Sequence, residues 1–189
     1  MIYFSNYLTF HGTMEGEIET LHKLLHYYKG NLNSRLLYIT GPDSLYEDTT
    51  GKTLMVRSAE EFCRQYGELH QIAVKILRVP YLYSGTYGED YFFKLFSTVI
   101  NKKQITFEEA PAQEMHFLAL SDLGDLLYKI FDNWGEGSAC LQVPQVFHFT
   151  FQQFGERLAQ MFPAANITYL SDVLIRDGIS DDHVLRNEY

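Results

Sequence analysis

Cysteine is scarce in this chain, and long apolar runs are missing. Only two cysteines, Cys63 and Cys140, occur among 189 residues, and they lie outside any Cys-x-x-Cys pattern. This excludes a disulfide scaffold and is typical of a reducing compartment. No apolar run approaches the ~18–20 residues of a membrane span, and the first residues lack the basic region and cleavage site of a signal peptide. We therefore expect a cytoplasmic protein without a membrane segment.

Positive charge is also in short supply. Fifteen Lys and Arg residues face 24 Asp and Glu residues, which gives a net charge of −9 and a sequence pI near 5.2. Such a charge repels phosphate backbones and argues against nucleic-acid binding through a basic face. The chain is 46% hydrophobic and 15% aromatic. That content is enough for a sizeable core in one domain, or one and a half.

The first half of the chain alternates between strand and helix patterns. Short apolar runs at Ile2–Phe4, Leu36–Thr40 and Ile72–Val79 predict strands, the last two ended by Gly41-Pro42 and by Pro80. Apolar residues at helical spacing predict helices over Met14–Lys29 and Leu54–Tyr66. This order predicts an α/β fold with a parallel sheet.

The second half is less regular. It contains an aromatic helix, a helix after Ser121, a capping box at Thr150 and Gln153, and several short strands. The predicted segments are helices over 87–100, 121–131 and 151–162, and strands over 104–107, 115–119, 140–143 and 167–170. We expect a partial Rossmann-like region over 1–85, to which 113–136 returns, and a smaller α+β region of substrate-domain type over 86–189.

Several segments, taken in order, carry a resemblance to a known family. They are RLLYITGPDSLY (35–46), SAEEFCRQYGELHQIAVKILRVPYLYSG (58–85), MHFLALSDLGDLLYKIF (115–131), HFTFQQFGERLAQMFP (148–163) and SDDHVLRNEY (180–189). Together they resemble the extended short-chain dehydrogenase/reductases, the NAD-dependent epimerases and dehydratases of nucleotide sugars. The resemblance implies the second half of a Rossmann sheet, an NAD(P) cofactor and a nucleotide-sugar ligand.

The glycine-rich turn of that family is missing. A dinucleotide site of this kind needs glycines so that backbone N–H groups can approach the pyrophosphate, and no GxxGxxG or GxGxxG is present. We expect a truncated member that lacks three strands at the front and a short segment at the back. No cofactor is expected from this chain alone.

The family's catalytic Tyr–Lys pair has no convincing counterpart. Aligning the helix on Ala59-Glu60 places Lys52 at the tyrosine position and Val56 at the lysine position. A shift by one residue places Thr53 and Arg57 there, and arginine stays protonated. Neither alignment supports the proton relay.

The serine or threonine hydroxyl that assists this pair in the family also has no counterpart at the expected position. Tyr46 matches a non-catalytic tyrosine of the family, and the hydroxyl position four residues earlier is Pro42. Thr40 and Ser44 lie two residues to either side. The catalytic candidates that the resemblance implies are Thr40, Ser44, Tyr46 and Lys52.

An aromatic loop after the third strand is the best candidate for a ligand pocket, because ligands of open α/β sheets bind at the carboxyl ends of strands. The alternative interpretation, which the sequence supports equally, is that these aromatic residues only pack two subdomains together. The substrate-binding candidates are Tyr81, Tyr83, Ser84 and Tyr87. Pro80 matches the family's proline beside the cofactor, and we take it with Thr40 as the cofactor-binding candidates.

The remaining titratable residues do not indicate a functional site. His22 and His26 lie four residues apart on a predicted helix, but the segment lacks the glutamate of a zinc-binding HExxH motif, so a solvated face is favoured over a metal site. Cys63 is expected to be buried rather than nucleophilic. The adjacent acids Glu60 and Glu61 are expected to be solvated. No metal is predicted.

Three functional interpretations follow. The chain is a fragment of an epimerase/dehydratase, a non-catalytic binding or assembly protein derived from that family, or a subunit that another chain completes. The absent Tyr–Lys pair favours the second interpretation. Family members commonly dimerise through the two helices that match 14–29 and 54–66 here, so a homodimer or a heteromeric contact through these helices is expected.

Overall fold

The structure is a computed structural model, and it describes residues 1–5, 14–31, 33–42, 51–84, 91–107, 109–143 and 148–170. Its elements, in chain order, are β1 (Ile2–Phe4), α1 (Met14–Tyr28), β2 (Arg35–Thr40), α2 (Gly51–His70), β3 (Ala73–Arg78), β4 (Tyr81–Tyr83), α3 (Tyr91–Lys102), β5 (Gln104–Phe107), β6 (Glu114–Ala119), α4 (Leu120–Asp132), β7 (Ala139–Gln142), β8 (His148–Thr150), α5 (Phe151–Met161) and β9 (Asn166–Tyr169). The chain divides into two compact units. The first comprises Met1–Tyr81 and Leu120–Pro144, and the second Leu82–Ala119 and Gln145–Tyr189.

A four-stranded parallel sheet forms the centre of the first unit. Its strand order is β1-β2-β3-β7, and every neighbouring pair is parallel. The register pairs Tyr38 with Ile76 and Leu37 with Lys75. Because successive side chains point to opposite faces of a strand, the first pair faces one side of the sheet and the second pair the other. The predicted α/β fold with a Rossmann-like parallel sheet is confirmed.

Helices α1 and α2 cover the face of the sheet that carries Tyr38. Leu21 and Leu25 of α1 and Ala59 and Cys63 of α2 are fully buried, as the apolar spacing of both helices predicted. They pack in one cluster against sheet residues of the same face, namely Leu36, Tyr38, Val74 and Ile76. Burying this apolar surface is the main source of stability of the unit.

In the part that the structure describes, the second unit consists of small sheets and two helices. Strands β4, β6 and β8 form one sheet, in which β6 and β8 are antiparallel, and β5 pairs with β9 in parallel. Aromatic rings fill its interior; for example, the Phe107 ring lies 5.5 Å from those of both Phe151 and Tyr169. The predicted capping box is present: Gln153 N donates to Thr150 Oγ1 at 3.1 Å, and Thr150 N donates to Gln153 Oε1 at 3.0 Å.

The main differences between the predicted segments and the structure lie at α2, α3 and β4. Helix α2 begins at Gly51 and ends at His70, so it is longer at both ends than the predicted 54–66. Helix α3 continues to Lys102, beyond the predicted end at 100. The segment Tyr81–Tyr83, which was predicted as a loop, is strand β4. Proline at position 80 ends β3, but it does not prevent a new strand from starting at the next residue. In the described part of the chain, no helix combines the length and apolar content needed to cross a bilayer.

Candidate functional site

A charged and hydroxyl-bearing cluster lies where β2 and β3 end. Thr40 is the last residue of β2 and Arg78 the last of β3, and the register pairs them side by side. Glu60 of α2 reaches both side chains. Ligands of open parallel sheets bind at the carboxyl ends of the strands, so this is the first place to look for a functional site in the first unit.

Glu60 holds the cluster together. Thr40 Oγ1 donates to Glu60 Oε1 at 2.9 Å, and Arg78 Nε lies 3.1 Å from both carboxylate oxygens. A second guanidinium nitrogen of Arg78 donates to Oε2 at 2.5 Å. Such a forked arrangement is the strongest geometry for an Arg–carboxylate pair. Hydrogen bonding to Glu60 raises the pKa of Arg78 above its ordinary value, although burial opposes the shift.

Two of the three members of this cluster are buried. Thr40 is fully buried, Glu60 is 4% exposed, and the side chain of Arg78 is 27% exposed. In this arrangement the Thr40 hydroxyl donates its hydrogen bond to Glu60 and not to a ligand. The prediction that Glu60 and Glu61 are both solvated is wrong for Glu60 and correct for Glu61, which is exposed and bound to Arg64.

A signal for the buried glutamate was present in the helix pattern. Val56, Ala59 and Cys63 are buried along one side of α2, and Glu60 follows Val56 by four residues, which places it on the same side. A carboxylate on the apolar side of a helix needs a cation or several donors. Arg78, the only charged residue at the end of the predicted strand, was the available cation.

The sequence-predicted catalytic residues are only partly described. Ser44 and Tyr46 lie outside the described residues, and Lys52 lies in the first turn of α2, where its side chain is not described. Val56, at the family's lysine position in one alignment, is fully buried, and Thr53, at the tyrosine position in the other, is 2% exposed. Val56 and Thr53 belong to different alignments, and both of their side chains are buried in the core of the first unit.

The predicted ligand-binding residues are divided between the two units. Pro80 and Tyr81 are buried in the first unit. Tyr83, 43% exposed, and the half-buried Ser84 belong to the second unit, where the Tyr83 ring meets the edge of Phe92 at 6.1 Å. Tyr87 lies outside the described residues.

A second buried carboxylate, Glu17 of α1, was also missed. It is fully buried and accepts hydrogen bonds from Tyr38 at 2.8 Å and from Tyr3 at 3.2 Å. Burial, followed by the charge of Glu17, raises the pKa of both phenols above the ordinary value. Burial also raises the pKa of the Cys63 thiol, so the thiol stays protonated and is a core residue, as predicted.

Aromatic and imidazole rings line the outer side of α1 and α2. His22 stacks on His26 at 5.9 Å and meets the edge of Tyr66 at 5.6 Å. Tyr66 also contacts His70 at 4.4 Å, and its hydroxyl lies 3.3 Å from His26 Nδ1. Burial, together with nearby Lys29, lowers the pKa of His70 below its ordinary value. In the part of the chain that the structure describes, no three His, Cys, Asp or Glu side chains are grouped to hold a metal.

The same side of α2 exposes apolar side chains. Met55, Phe62, Tyr66 and Leu69 follow one another at intervals of seven, four and three residues, which places them on one side of the helix. Leu69 is 75% exposed and Met55 40%. We call the surface formed by His22, His26, Met55, Phe62, Tyr66, Leu69 and His70 the outer helix surface.

Comparison with known proteins identifies the fold. No protein-family model and no curated protein matches the chain. Solved structures do match: MoeE5 in complex with UDP-glucuronic acid and NAD is 14% identical with a TM-score of 0.64, and a UDP-glucuronic acid 4-epimerase from Bacillus cereus is 14% identical with a TM-score of 0.66. TunA, an NAD-dependent NDP-hexosamine 5,6-dehydratase, is 14% identical with a TM-score of 0.60.

These matches cover most of this chain but only part of the longer proteins. The aligned regions cover 86%, 89% and 80% of this chain, and 60%, 62% and 55% of MoeE5, the epimerase and TunA. The chain thus spans about three fifths of the length of the solved structures that it matches. At such identities the likeness establishes a shared Rossmann-like fold.

Proposed function

We propose that this chain is a non-catalytic relative of the NAD-dependent epimerases and dehydratases, and that it acts as a binding or assembly protein. The observation that carries the proposal is the Thr40–Glu60–Arg78 cluster. Where the strands end, a buried carboxylate engages the hydroxyl and the guanidinium, at 2.9 Å and 2.5 Å. Groups bound to each other in this way are not available to a substrate.

Neither of the two cofactor-binding candidates offers a hydrogen-bond donor to a dinucleotide in this structure. Of the two cofactor-binding candidates, Thr40 donates its hydroxyl hydrogen to Glu60, and Pro80 is buried and has no N–H to donate. The printed sequence contains no glycine-rich phosphate-binding turn. We therefore derive no chemical step through NAD(P) in this chain.

Ligand binding can be tested by thermal unfolding. We expect NAD, NADP and UDP-glucose, each at 1 mM, to leave the Tm of the chain unchanged. A ligand present at 100 times its Kd would stabilise the folded state by about 2.7 kcal/mol, which shifts Tm by several degrees. A saturable rise in Tm with NAD would contradict the non-catalytic proposal, and a rise with the nucleotide sugar alone would contradict the assembly role and favour a binding role instead.

The outer helix surface is the proposed assembly site. Leu69 and Met55 expose apolar side chains there, next to the imidazole and phenol rings of His22 and Tyr66. Aromatic and apolar side chains of this kind are enriched at the centres of protein interfaces. A two-fold contact that brings α1 and α2 against the same helices of a second copy would remove them from water.

Replacing Leu69 with aspartate tests the interface. A buried charge in the contact should raise the dissociation constant of the homodimer by about 30-fold or more, since a central interface residue contributes about 2 kcal/mol. Analytical ultracentrifugation over a concentration series measures the change. The control is Leu120→Asp, the same substitution at a 49% exposed leucine in the first turn of α4.

The two variants separate an interface from a general loss of solubility. Equal weakening by both substitutions would contradict the assignment of the contact to the outer helix surface. A wild-type chain that stays monomeric at 500 μM would contradict the homodimer. A heteromeric contact would then be the remaining form of the proposal, tested by measuring the affinity of this chain for a purified partner chain.

A second candidate is a subunit of an active enzyme that further sequence completes. The edge of β1 favours it: Met1 N donates to Arg35 O, Leu37 N to Met1 O, and Ser5 N to Ile39 O. The backbone groups of Ile2 and Phe4 therefore point away from β2, since the direction alternates along a strand. Both side chains are also 42–45% exposed.

Among the described residues, no strand pairs with the outer edge of β1. An apolar strand edge without a partner can bind a further strand. If an added strand from a longer form of the polypeptide or from another chain completes the sheet, the amides of Ile2 and Phe4 should become protected from hydrogen exchange. The DNA around the reading frame provides the first test. An in-frame upstream GxxGxxG would favour this candidate over the assembly protein.

A further inference from the structure

The only tryptophan of the chain lies in an unusual environment. Trp134 follows α4 in the first unit and is 3% exposed. Its indole Nε1 is buried, and no hydrogen-bond acceptor for it is present among the described residues. A buried donor without an acceptor is costly, and such groups are rare in native proteins. The indole nitrogen therefore requires an acceptor that the described part of the chain does not supply.

Two cations lie over the same indole ring. The guanidinium carbon of Arg35 is 5.6 Å from the ring centroid, and Lys75 Nζ is 5.4 Å from it. The register pairs Leu37 with Lys75, and Arg35 is two residues before Leu37 on the same strand. Both cations thus lie on one face of the sheet, opposite the face that α1 and α2 cover.

Neither Arg35 nor Lys75 forms an ion pair with an acidic side chain among the described residues. Lys75 is nevertheless 8% exposed. Contact with an aromatic face offsets only part of the cost of taking an ammonium group out of water, and two like charges at one ring repel each other.

Neighbouring residues hold the indole in place. Phe131 of α4 stacks on it at 5.5 Å with an interplanar angle of 26°. Ser138, just before β7, accepts a hydrogen bond from Val74 N at 3.3 Å and ties the segment after Trp134 to β3. Arg35 is exposed, so it is the member of this group that solvent reaches, whereas Trp134 and Lys75 are buried.

We propose that Arg35, Lys75 and the Trp134 Nε1–H group bind a phosphate group. The guanidinium fork can donate two parallel hydrogen bonds to a tetrahedral oxyanion, the ammonium supplies a compact charge, and the indole supplies a third kind of donor. The anion would neutralise both cations and give the buried N–H its acceptor.

This phosphate site is distinct from the cluster at the strand ends. Arg35 is the first residue of β2 and Thr40 the last. Five steps along a strand separate them by about 16 Å. The phosphate site therefore does not depend on the proposed assembly function, and either proposal can fail without the other.

The position of the sole tryptophan provides the readout. Inorganic phosphate is titrated into the full chain while the emission of Trp134 is recorded, and sodium chloride maintains constant ionic strength. We expect a saturable change in emission with phosphate and none with chloride alone. Arg35→Gln should weaken phosphate binding about tenfold or more, because one charge-assisted pair is lost. Arg35 is exposed, so this variant should fold.

Two further variants complete the test. Lys75→Met should weaken binding by a similar factor, whereas Lys23→Met, which removes an exposed lysine of α1 paired with Glu19, should bind phosphate as the wild type does. The rise in Tm with phosphate gives a second measurement that does not depend on fluorescence. Phosphate binding by Arg35→Gln and Lys75→Met that equals the wild type, or an emission change reproduced by chloride, would overturn the proposal.

Discussion

Replacing Arg78 with methionine is expected to lower the free energy of unfolding by about 3 kcal/mol. The substitution leaves the Glu60 carboxylate 4% exposed with its main cation removed. Removing one partner of a buried ion pair costs about 3–5 kcal/mol, because the remaining charge is poorly solvated. The lower end applies here, since the Arg78 side chain is 27% exposed and water can partly replace it.

Urea unfolding followed by Trp134 emission measures this loss, because Trp134 and the Glu60–Arg78 pair belong to the same unit. The matched control is Arg64→Met. Arg64 also lies on α2 and contacts Glu61 and Glu68, but these side chains are 44–56% exposed. An exposed pair contributes about 1 kcal/mol or less.

A double variant identifies the cause. Adding Glu60→Gln to Arg78→Met removes the unpaired charge and should recover a large part of the lost stability. The same loss of stability for Arg78→Met and Arg64→Met would show that Glu60 is well solvated. The cluster would then not be a buried ion pair that stabilises the first unit.

Replacing Gly67 with alanine is expected to lower the free energy of unfolding by about 2 kcal/mol. A β-carbon at this position would lie 2.5 Å from Val74 Cγ2 and 2.9 Å from the carbonyl oxygen of Ile72. These distances are well inside van der Waals contact, and the second involves the backbone, so α2 must move away from β3. Overpacking of this kind costs about 1–3 kcal/mol.

The matched control is Gly124→Ala, a helix-interior glycine of α4. Apart from its chain neighbours and the backbone of its own helix, no atom lies within 4 Å of the position where its β-carbon would be. Alanine should therefore stabilise this helix by about 1 kcal/mol, through helix propensity alone. Opposite signs for the two substitutions in urea unfolding are the expected result. A stabilising Gly67→Ala would mean that α2 does not approach the sheet as closely as the structure has it.

The regular elements of the first unit were predictable because each has a strong local pattern. The continuous apolar run of β2 and the helical spacing of α1 identified both elements to within one residue at either end. The capping box at Thr150 located the start of α5 for the same reason, since both hydrogen bonds join residues three positions apart. Tyr81–Tyr83 was not identified as a strand because its partner strand is distant in sequence.

The exact pairings within the polar clusters were not predictable, because their members come from different elements. Glu60 and Arg78 are 18 residues apart, and Glu17 and Tyr38 are 21 apart. The sequence suggested solvated acids, since most glutamates are exposed. Arg35, Lys75 and Trp134 gave no motif at all, and only the strand register and the position of α4 bring them together.

The sequence alone therefore determined the class of fold, the principal helices and strands and the absence of a glycine-rich phosphate turn, because composition and periodicity are local properties. The tertiary structure decided which side chains meet: the Thr40 hydroxyl with Glu60 and Arg78, and the Trp134 indole with two cations. Those contacts depend on strand order and on which face of the sheet each helix covers. Such long-range pairings are set by the packing of the whole unit and not by any single segment.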